Sequence, residues 1–366
     1  MTEDTPLTDS VVSNSVRKGN PLLEVNDLQV HFMLEEGTVR AVDGVSFDMP
    51  AGRVLGVVGE SGCGKSVLAR SIMRIVRPPG EVVGGEIIYH RPSRNGGSPD
   101  VIDLNQLPLN GPEIREIRGS EITLVFQEPM VSFSPVHTIA QQIIEGILLH
   151  QDVTKAEARN RAIEMLRRVG IPNPEVRIDE YPFNLSGGMR QRCMIAMALS
   201  GNPNMLIADE PTTALDVTTQ AQILELMSEL QQEYGMAMML ITHNLGVVAQ
   251  MAEEVIVMYL GKIVEHTDVR TLFKEPKHPY TQELLKSIPR LRRQRQTDRL
   301  TAIAGSVPSP YVRPKGCPFH PRCPKFMPGV CDELEPQLTE VGGRHMVSCL
   351  LYSEDAKKVS SGAGNG

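Results

Sequence analysis

Phosphate chemistry is concentrated in eight residues, Gly59-Glu60-Ser61-Gly62-Cys63-Gly64-Lys65-Ser66, which fit the pattern GxxxxGK[ST]. The glycines let the backbone curl, so that the N–H groups of Gly59, Ser61, Gly62, Cys63 and Gly64 can point inward around phosphate oxygens. Lys65 adds a point charge for the terminal phosphates, and Ser66 adds a hydroxyl for Mg²⁺. Such a site needs a carboxylate at the end of a neighbouring strand, and Met205-Leu206-Ile207-Ala208-Asp209-Glu210 supplies two. Asp209 is expected to serve Mg²⁺ through its water shell, which leaves Glu210 free to polarise an attacking water as general base. Between these two motifs, Ser186-Gly187-Gly188 opens a helix-compatible stretch. A serine cap followed by glycine N–H groups is an ordinary helix start, and it is also a second anion site, suited to a γ-phosphate.

A third constellation has different chemistry. Cys63 and Cys193 stand alone, whereas Cys317, Cys323, Cys331 and Cys349 follow one another as C-x5-C-x7-C-x17-C. In a reducing compartment, clustered thiols point to a soft metal rather than to disulfides. The spacing lacks the paired C-x2-C knuckles of zinc ribbons, and four thiolates on a Pro-rich loop could equally ligate an iron–sulfur cluster.

Specific elements must hold these groups. Val54–Val58 is apolar throughout, as in a strand buried on both faces, and it runs directly into the glycine-rich octet and then a helix. Residues 21–60 otherwise alternate as antiparallel strands do, 81–110 read as a hairpin with a long loop, and 138–170 give helices broken near Gln151-Asp152. After residue 186, helices alternate with apolar strands (MLIA, AMMLIT, EVIVMY), the pattern of a parallel sheet covered on both sides. Past residue 266 the chain turns Pro-rich, with Arg290, Arg292, Arg293, Arg295 and Arg299 crowded together, so a second, smaller domain is expected there. The chain has 366 residues, 41% hydrophobic and 22% charged, enough for a sizeable core. No apolar run is long enough to span a membrane, and the polar, acidic N-terminus lacks the apolar core of a secretion signal, which makes the cytosol the default expectation. A net charge of −7 disfavours nucleic-acid binding.

Leu185-Ser186-Gly187-Gly188-Met189-Arg190-Gln191 resembles the signature of ATP-binding-cassette (ABC) ATPases. The resemblance implies an α/β fold: a P-loop ATPase domain with a mostly parallel sheet, an antiparallel β subdomain and a helical subdomain. It also implies that Ser186, Gly187, Gly188 and Gln191 face ATP held by a partner cassette, so that two nucleotides are sandwiched head to tail. Gln127 then matches the loop glutamine that senses Mg²⁺ and the transport subunit, and Ala214-Leu215-Asp216 matches the loop through which each cassette feels its neighbour. His243 matches the switch histidine at the γ-phosphate. Two departures stand out. Asn244 follows His243 where an acid is common, and the position that usually stacks an aromatic ring on adenine falls near Glu36–Val39, where there is none, leaving Val39 or Arg40.

The segment after Gln127, then Lys277-His278-Pro279-Tyr280-Thr281, IAGSVPSP, Gly316-Cys317-Pro318-Phe319 and Pro321-Arg322-Cys323 resemble ATP-binding subunits of dipeptide and oligopeptide importers over roughly residues 21–350. The organisation implied is a tail (1–20), a nucleotide-binding domain (21–265, helical subdomain about 128–185), an extension (266–352) and a flexible end (353–366). The resemblance implies ATP and Mg²⁺ as ligands and a [4Fe–4S] centre on Cys317, Cys323, Cys331 and Cys349, with Zn²⁺ as the alternative. Its implied partners are a second, different ATPase subunit, two transmembrane permease subunits and an extracytoplasmic binding protein, with this chain peripheral on the cytoplasmic membrane face. Oligosaccharide or nickel cargo is the nearer rival. A soluble ABC ATPase acting on ribosomes or DNA is disfavoured by the single cassette and the absence of a heptad insertion.

Overall fold

The computed structural model describes residues 21–93, 97–128, 132–213, 215–287 and 303–353. The expectations placed on 1–20, on Ala214, on the arginine-rich run and on the end beyond Ser353 lie outside the described residues. Strand β1 (Pro21–Leu34) pairs antiparallel with β2 (Gly37–Pro50). After β3 (Val54–Val58) and the helix Lys65–Ile72, β4 (Gly80–Arg91) returns to the other side of β1, and β5 (Asp100–Asp103) completes a four-stranded sheet in the order β2-β1-β4-β5. This is the antiparallel subdomain expected from the alternation.

The main sheet has eight strands: β3, β6 (Ile122–Val125), β7 (Met205–Asp209), β8 (Ala237–Ile241), β9 (Glu254–Tyr259), β10 (Lys262–Asp268), β11 (Thr339–Glu340) and β12 (Met346–Val347). Their order is β11-β12-β10-β9-β3-β8-β7-β6. β3 pairs parallel with β8 and β9, and β7 pairs parallel with β6 and β8. Every residue of β3, β7 and β8 is buried, which is why these stretches read as continuous apolar runs rather than alternating ones. The carboxyl ends of β3, β6, β7 and β8 share one edge, and parallel α/β sheets open their ligand crevices there.

Two helices of the helical subdomain, Ile139–His150 and Lys155–Arg168, each begin with a capping box, Thr138 with Gln141 and Thr154 with Glu157. Each reciprocal pair satisfies two N–H groups that the first turn would leave free, and that fixes where the helix starts. The break between them sits at Gln151, whose side-chain amide donates to the Ser200 carbonyl at 2.9 Å. Both helices share one apolar core with the helix Gly187–Leu199.

The extension after residue 266 is more closely joined to the cassette than its change of texture suggests. β12 pairs with β10, so the tail lengthens the same sheet. Phe319, Val330 and Leu350 share a core with Val58, Val255 and Val257 of the cassette. Short strands and Pro-rich turns bury little surface by themselves, so they draw their core from the sheet edge. Glu265 on β10, fully buried, ties the two together by accepting from the Lys277 and His278 N–H groups at 2.7 and 3.0 Å, with His345 Nε2 at 2.6 Å.

Candidate active site

The glycine-rich octet forms the turn between β3 and the helix Lys65–Ile72. Gly64 lies in the left-handed region, with φ 105°, and a Cβ there would stand 2.1 Å from the Ala41 carbonyl oxygen of β2. Only glycine lets the turn approach the β2 backbone so closely. Lys65 is buried, and its ammonium donates to the loop carbonyls of Gly59 (2.8 Å) and Glu60 (3.1 Å) while lying 3.7 Å from Cys63 Sγ. Burial raises the Cys63 thiol pKa, against the opposing pull of Lys65.

Asp209 ends β7, buried beside Ser66, whose hydroxyl bonds to its carboxylate. Burial lifts its pKa above the usual carboxylate range, and Glu210 adds to that, while Ser66, Arg70 and Lys65 oppose it. Asp209 Oδ1 is buried with no hydrogen-bond partner. A buried carboxylate oxygen left bare beside a serine hydroxyl fits the oxygen donor set that Mg²⁺ takes, so Ser66 and Asp209 suit the expected ion.

Glu210 has φ 48° and donates its backbone N–H to the Ile241 carbonyl at 2.8 Å, which seats it between the ends of β7 and β8. Three side chains converge on its carboxylate: the Thr213 hydroxyl at 2.8 Å, His243 Nδ1 at 3.2 Å and Gln127 Nε2 at 3.3 Å. The residues singled out for catalysis therefore meet at one carboxylate, from chain positions more than 80 residues apart in the case of Gln127.

A cavity of about 680 Å³ opens in front of this group. Its walls include Thr38–Ala41, Ser61, Lys65 and Ser66, Gln127 and Glu210, so both candidates for the base, Val39 and Arg40, border it. Ser186, Gly187, Gly188, Gln191 and Asp216 do not line it and form a separate region. Ser186 caps the helix Gly187–Leu199 through Met189 N–H, and Asp216 caps Val217–Tyr234 through Thr219. A Cβ on Gly188 would stand 2.8 Å from Thr219 Cγ2, so the two helix starts pack against each other there. Gln191 is buried, with Nε2 free of hydrogen-bond partners.

The extension supplies another part of the wall: Ser309–Tyr311, Arg313–Gly316 and Glu335. The phosphate loop is also braced from the tail. The Glu60 N–H donates to the Tyr280 hydroxyl at 2.8 Å, and Arg322 pairs with the Glu60 carboxylate. Tyr280 and Arg322 fall in motifs that the sequence analysis quotes, but their contact with a loop more than 200 positions away leaves no spacing pattern to reveal it.

Two family models match the chain: ABC transporter over residues 42–213, and the oligopeptide/dipeptide transporter C-terminal region over 264–331. Over 338 residues, 92% of this chain and 97% of the relative, it is 50% identical to a probable peptide ABC transporter ATP-binding protein of Sinorhizobium fredii. The chain belongs to the ABC transporter family. This ABC ATPase is also 48% identical to the oligopeptide transport ATP-binding protein AppD of Bacillus subtilis (93% and 99% of the two chains). It is 45% identical to the dipeptide transport ATP-binding protein DppD of Escherichia coli (92% and 98%). Among solved structures it is similar to the ATP-binding cassette MJ0796 in a dimeric post-hydrolysis state bound to ADP and Pi. That likeness has a TM-score of 0.58 and 26% identity, and covers 68% of this chain and 99% of that one. The ABC ATPase hydrolyses ATP as the motor subunit of a transporter, and none of its described helices is long and apolar enough to cross a membrane.

The tail thiols differ from expectation. Cys317, Cys323 and Cys331 lie in one apolar nest with Phe319 and Val330, and Cys349 is close enough to raise the Cys317 pKa. Among the described residues, however, no group of three or more His, Cys, Asp or Glu side chains is arranged to hold a metal ion. The predicted [4Fe–4S] centre and its Zn²⁺ alternative therefore have no ligand set in this arrangement. Burial pushes the Cys317 thiol up to about 12 and the Cys349 thiol up to about 11, so both are protonated as packed here.

Proposed function

We propose that this chain powers the uptake of dipeptides or oligopeptides through membrane permease subunits, on the cytoplasmic membrane face. The observation that carries the reading is the paired match: an ABC cassette followed by the oligopeptide/dipeptide transporter C-terminal region, with 45–50% identity to peptide transport subunits over nearly the whole of both chains. Oligosaccharide or nickel cargo would require the same motor and different membrane partners.

The site's own residues account for the ATPase chemistry. Lys65, whose ammonium lies at the loop carbonyls of Gly59 and Glu60, supplies the positive charge for the terminal phosphates. Glu210 takes a proton from the attacking water. His243, Gln127 and Thr213 fix where its carboxylate points, which is the orientation a general base needs. Ser66 and Asp209, with Gln127, would hold Mg²⁺, which would supply charge neutralisation at the phosphates.

We further infer a head-to-tail pair of cassettes, the second a different chain. In support, Ser186, Gly187, Gly188 and Asp216 lie outside this chain's own cavity, at helix starts suited to an anion carried by another molecule. The membrane subunits are proposed to dock on the helical subdomain. There the exposed rings of Tyr181 and Phe183 stack with centroids 5.4 Å apart, and Val136 is also exposed. The Ile139 N–H bonds to the Glu180 carbonyl, which brings the two segments side by side. A substrate-binding protein outside the cell would select cargo. For the tail, uptake of iron is proposed on the gathering of four thiols alone, and no step of the ATPase depends on it.

A pull-down from gently solubilised membranes tests the assembly. Two multi-spanning subunits and a second cassette are the expected catch, and a peptide-binding protein encoded with them would fix the cargo class. Recovery of ribosomes or nucleic acid instead would overturn the transport reading.

A further inference from the structure

The nucleotide cavity has a phosphate end and a base end. Ser61–Ser66, Gln127 and Glu210 occupy the first, so the base must lie toward the other, where the β1–β2 turn contributes Thr38, Val39 and Arg40 and no aromatic ring. A purine enclosed by these side chains alone would lack a flat partner for its π face. One aromatic residue does line the cavity among the described residues: Tyr311, which comes from the extension rather than from the cassette.

Several contacts fix its position. Ser309 forms a tight turn, accepting from the Val312 N–H at 3.2 Å through its carbonyl and from the Tyr311 N–H at 3.4 Å through its hydroxyl. Arg313, two residues on, pairs with Asp43 of β2. Lys262 joins the same carboxylate at 3.5 Å and also pairs with Glu335. Asp43 is half-buried; desolvation works to raise its pKa, yet Lys262 and Arg313, with Arg40, bring it below the usual carboxylate value. The Tyr311 ring edge lies against the β1–β2 turn: its Cδ1 is 3.8 Å from where a Cβ on Gly37 would stand. The residue is 43% exposed, and its ring has no aromatic partner among the described residues.

We propose that Tyr311 stacks on the base of the bound nucleotide, held over the cavity by the Arg313–Asp43 pair. The extension then completes the ATP site as well as bracing the phosphate loop, and the aromatic ring missing from the β1–β2 turn is replaced from a point more than 270 residues along the chain. A tyrosine suits this task because its ring offers a large flat surface with few rotatable bonds to freeze.

The test uses the intact chain, which contains no tryptophan, so Tyr311→Trp introduces a single fluorescent reporter. Its emission should be quenched by MgATP and unchanged by magnesium tripolyphosphate, which has the phosphates without the base. Tyr311→Ala should weaken MgATP binding about tenfold and leave tripolyphosphate affinity unchanged, whereas Tyr311→Phe should bind as the wild type does. Arg313→Ala should give a smaller loss with the same base dependence. Unchanged or tighter MgATP binding by Tyr311→Ala overturns the proposal, since the segment would then be a bystander or a cover over the site. Equal loss of ATP and tripolyphosphate also overturns it, because the effect would then lie at the phosphate loop.

Discussion

Arg322 holds the Glu60 carboxylate with both terminal nitrogens, at 2.7 and 3.0 Å, across 262 residues of chain. Its guanidinium also donates to the Ala304 carbonyl at 3.2 Å and lies 5.9 Å from the centroid of the Tyr259 ring. Glu60 is the second residue of the phosphate loop, and Arg322 adjoins Cys323, so this pair connects the tail to the catalytic loop. Removing the guanidinium leaves Glu60 without its main counter-charge in a half-buried place, a loss of about 1–3 kcal/mol. Arg322→Ala is therefore expected to lower the melting temperature by several degrees and to weaken MgATP binding. Arg322→Lys should recover only part of both, because an ammonium cannot make the two-pronged contact. Unchanged nucleotide affinity in a folded Arg322→Ala protein would mean that the brace does not reach the site.

Glu210→Gln is the sharpest test of the catalytic geometry. Glutamine keeps the shape and can still bond to Thr213, but it cannot accept a proton from water. ATP binding should persist, hydrolysis should fall by about 10²- to 10⁴-fold, and, with the second cassette present, an ATP-bound pair should accumulate on size exclusion. Hydrolysis at the wild-type rate would remove Glu210 from its role as base.

Much of this site was legible because its signals are local. Val54–Val58 and Met205–Asp209 are apolar without interruption since both faces of each strand are covered, and the phosphate loop and paired acids follow directly at their ends. The capping boxes at Thr138 and Thr154 are equally local, each spanning four residues, although the reading of these two helices rested on their apolar pattern. What could not be read is contact between distant segments. Tyr280 and Arg322 meet Glu60, and Tyr311 meets the β1–β2 turn, through chain closure that leaves no spacing pattern. The two-residue strands β11 and β12 are too short to show any period, so the tail looked like a separate small domain although it continues the main sheet. Cysteine spacing correctly implied that the thiols gather, but spacing carries no information on where each Sγ points.

The tail thiols can be decided directly. Iron and zinc are assayed in protein purified without oxygen, together with absorbance near about 400 nm, where sulfur-to-iron charge transfer appears. If the thiols rearrange into a ligand set, iron is present and Cys323→Ser loses both iron and colour. Protein free of iron and zinc, with ATPase activity intact, would leave the four as packed thiols, with burial raising the pKa of Cys317, Cys323 and Cys349.

His278 gives the tail a pH dependence of its own. It is fully enclosed, with Nδ1 accepting from the Tyr280 N–H at 3.1 Å, which fixes a neutral imidazole with its proton on Nε2. Burial drives its pKa from 6.5 down to about 3, although a hydrogen bond with the Ser348 backbone opposes the shift. The folded-state value is thus depressed below the unfolded one. Above about pH 6.5 the ring is neutral in both states and its contribution to stability is complete. Between pH 6.5 and 3 the unfolded chain takes up a proton that the folded chain refuses, so stability falls as pH falls, by up to about 1.4 kcal/mol per unit. Urea unfolding of the wild type should show this decline from pH 6.5 to 5. His278→Gln starts from a less stable protein, since the enclosed ring's packing is lost, but it has no imidazole to titrate and its stability should change less over the same interval. An identical slope in the two proteins would place the acid sensitivity elsewhere.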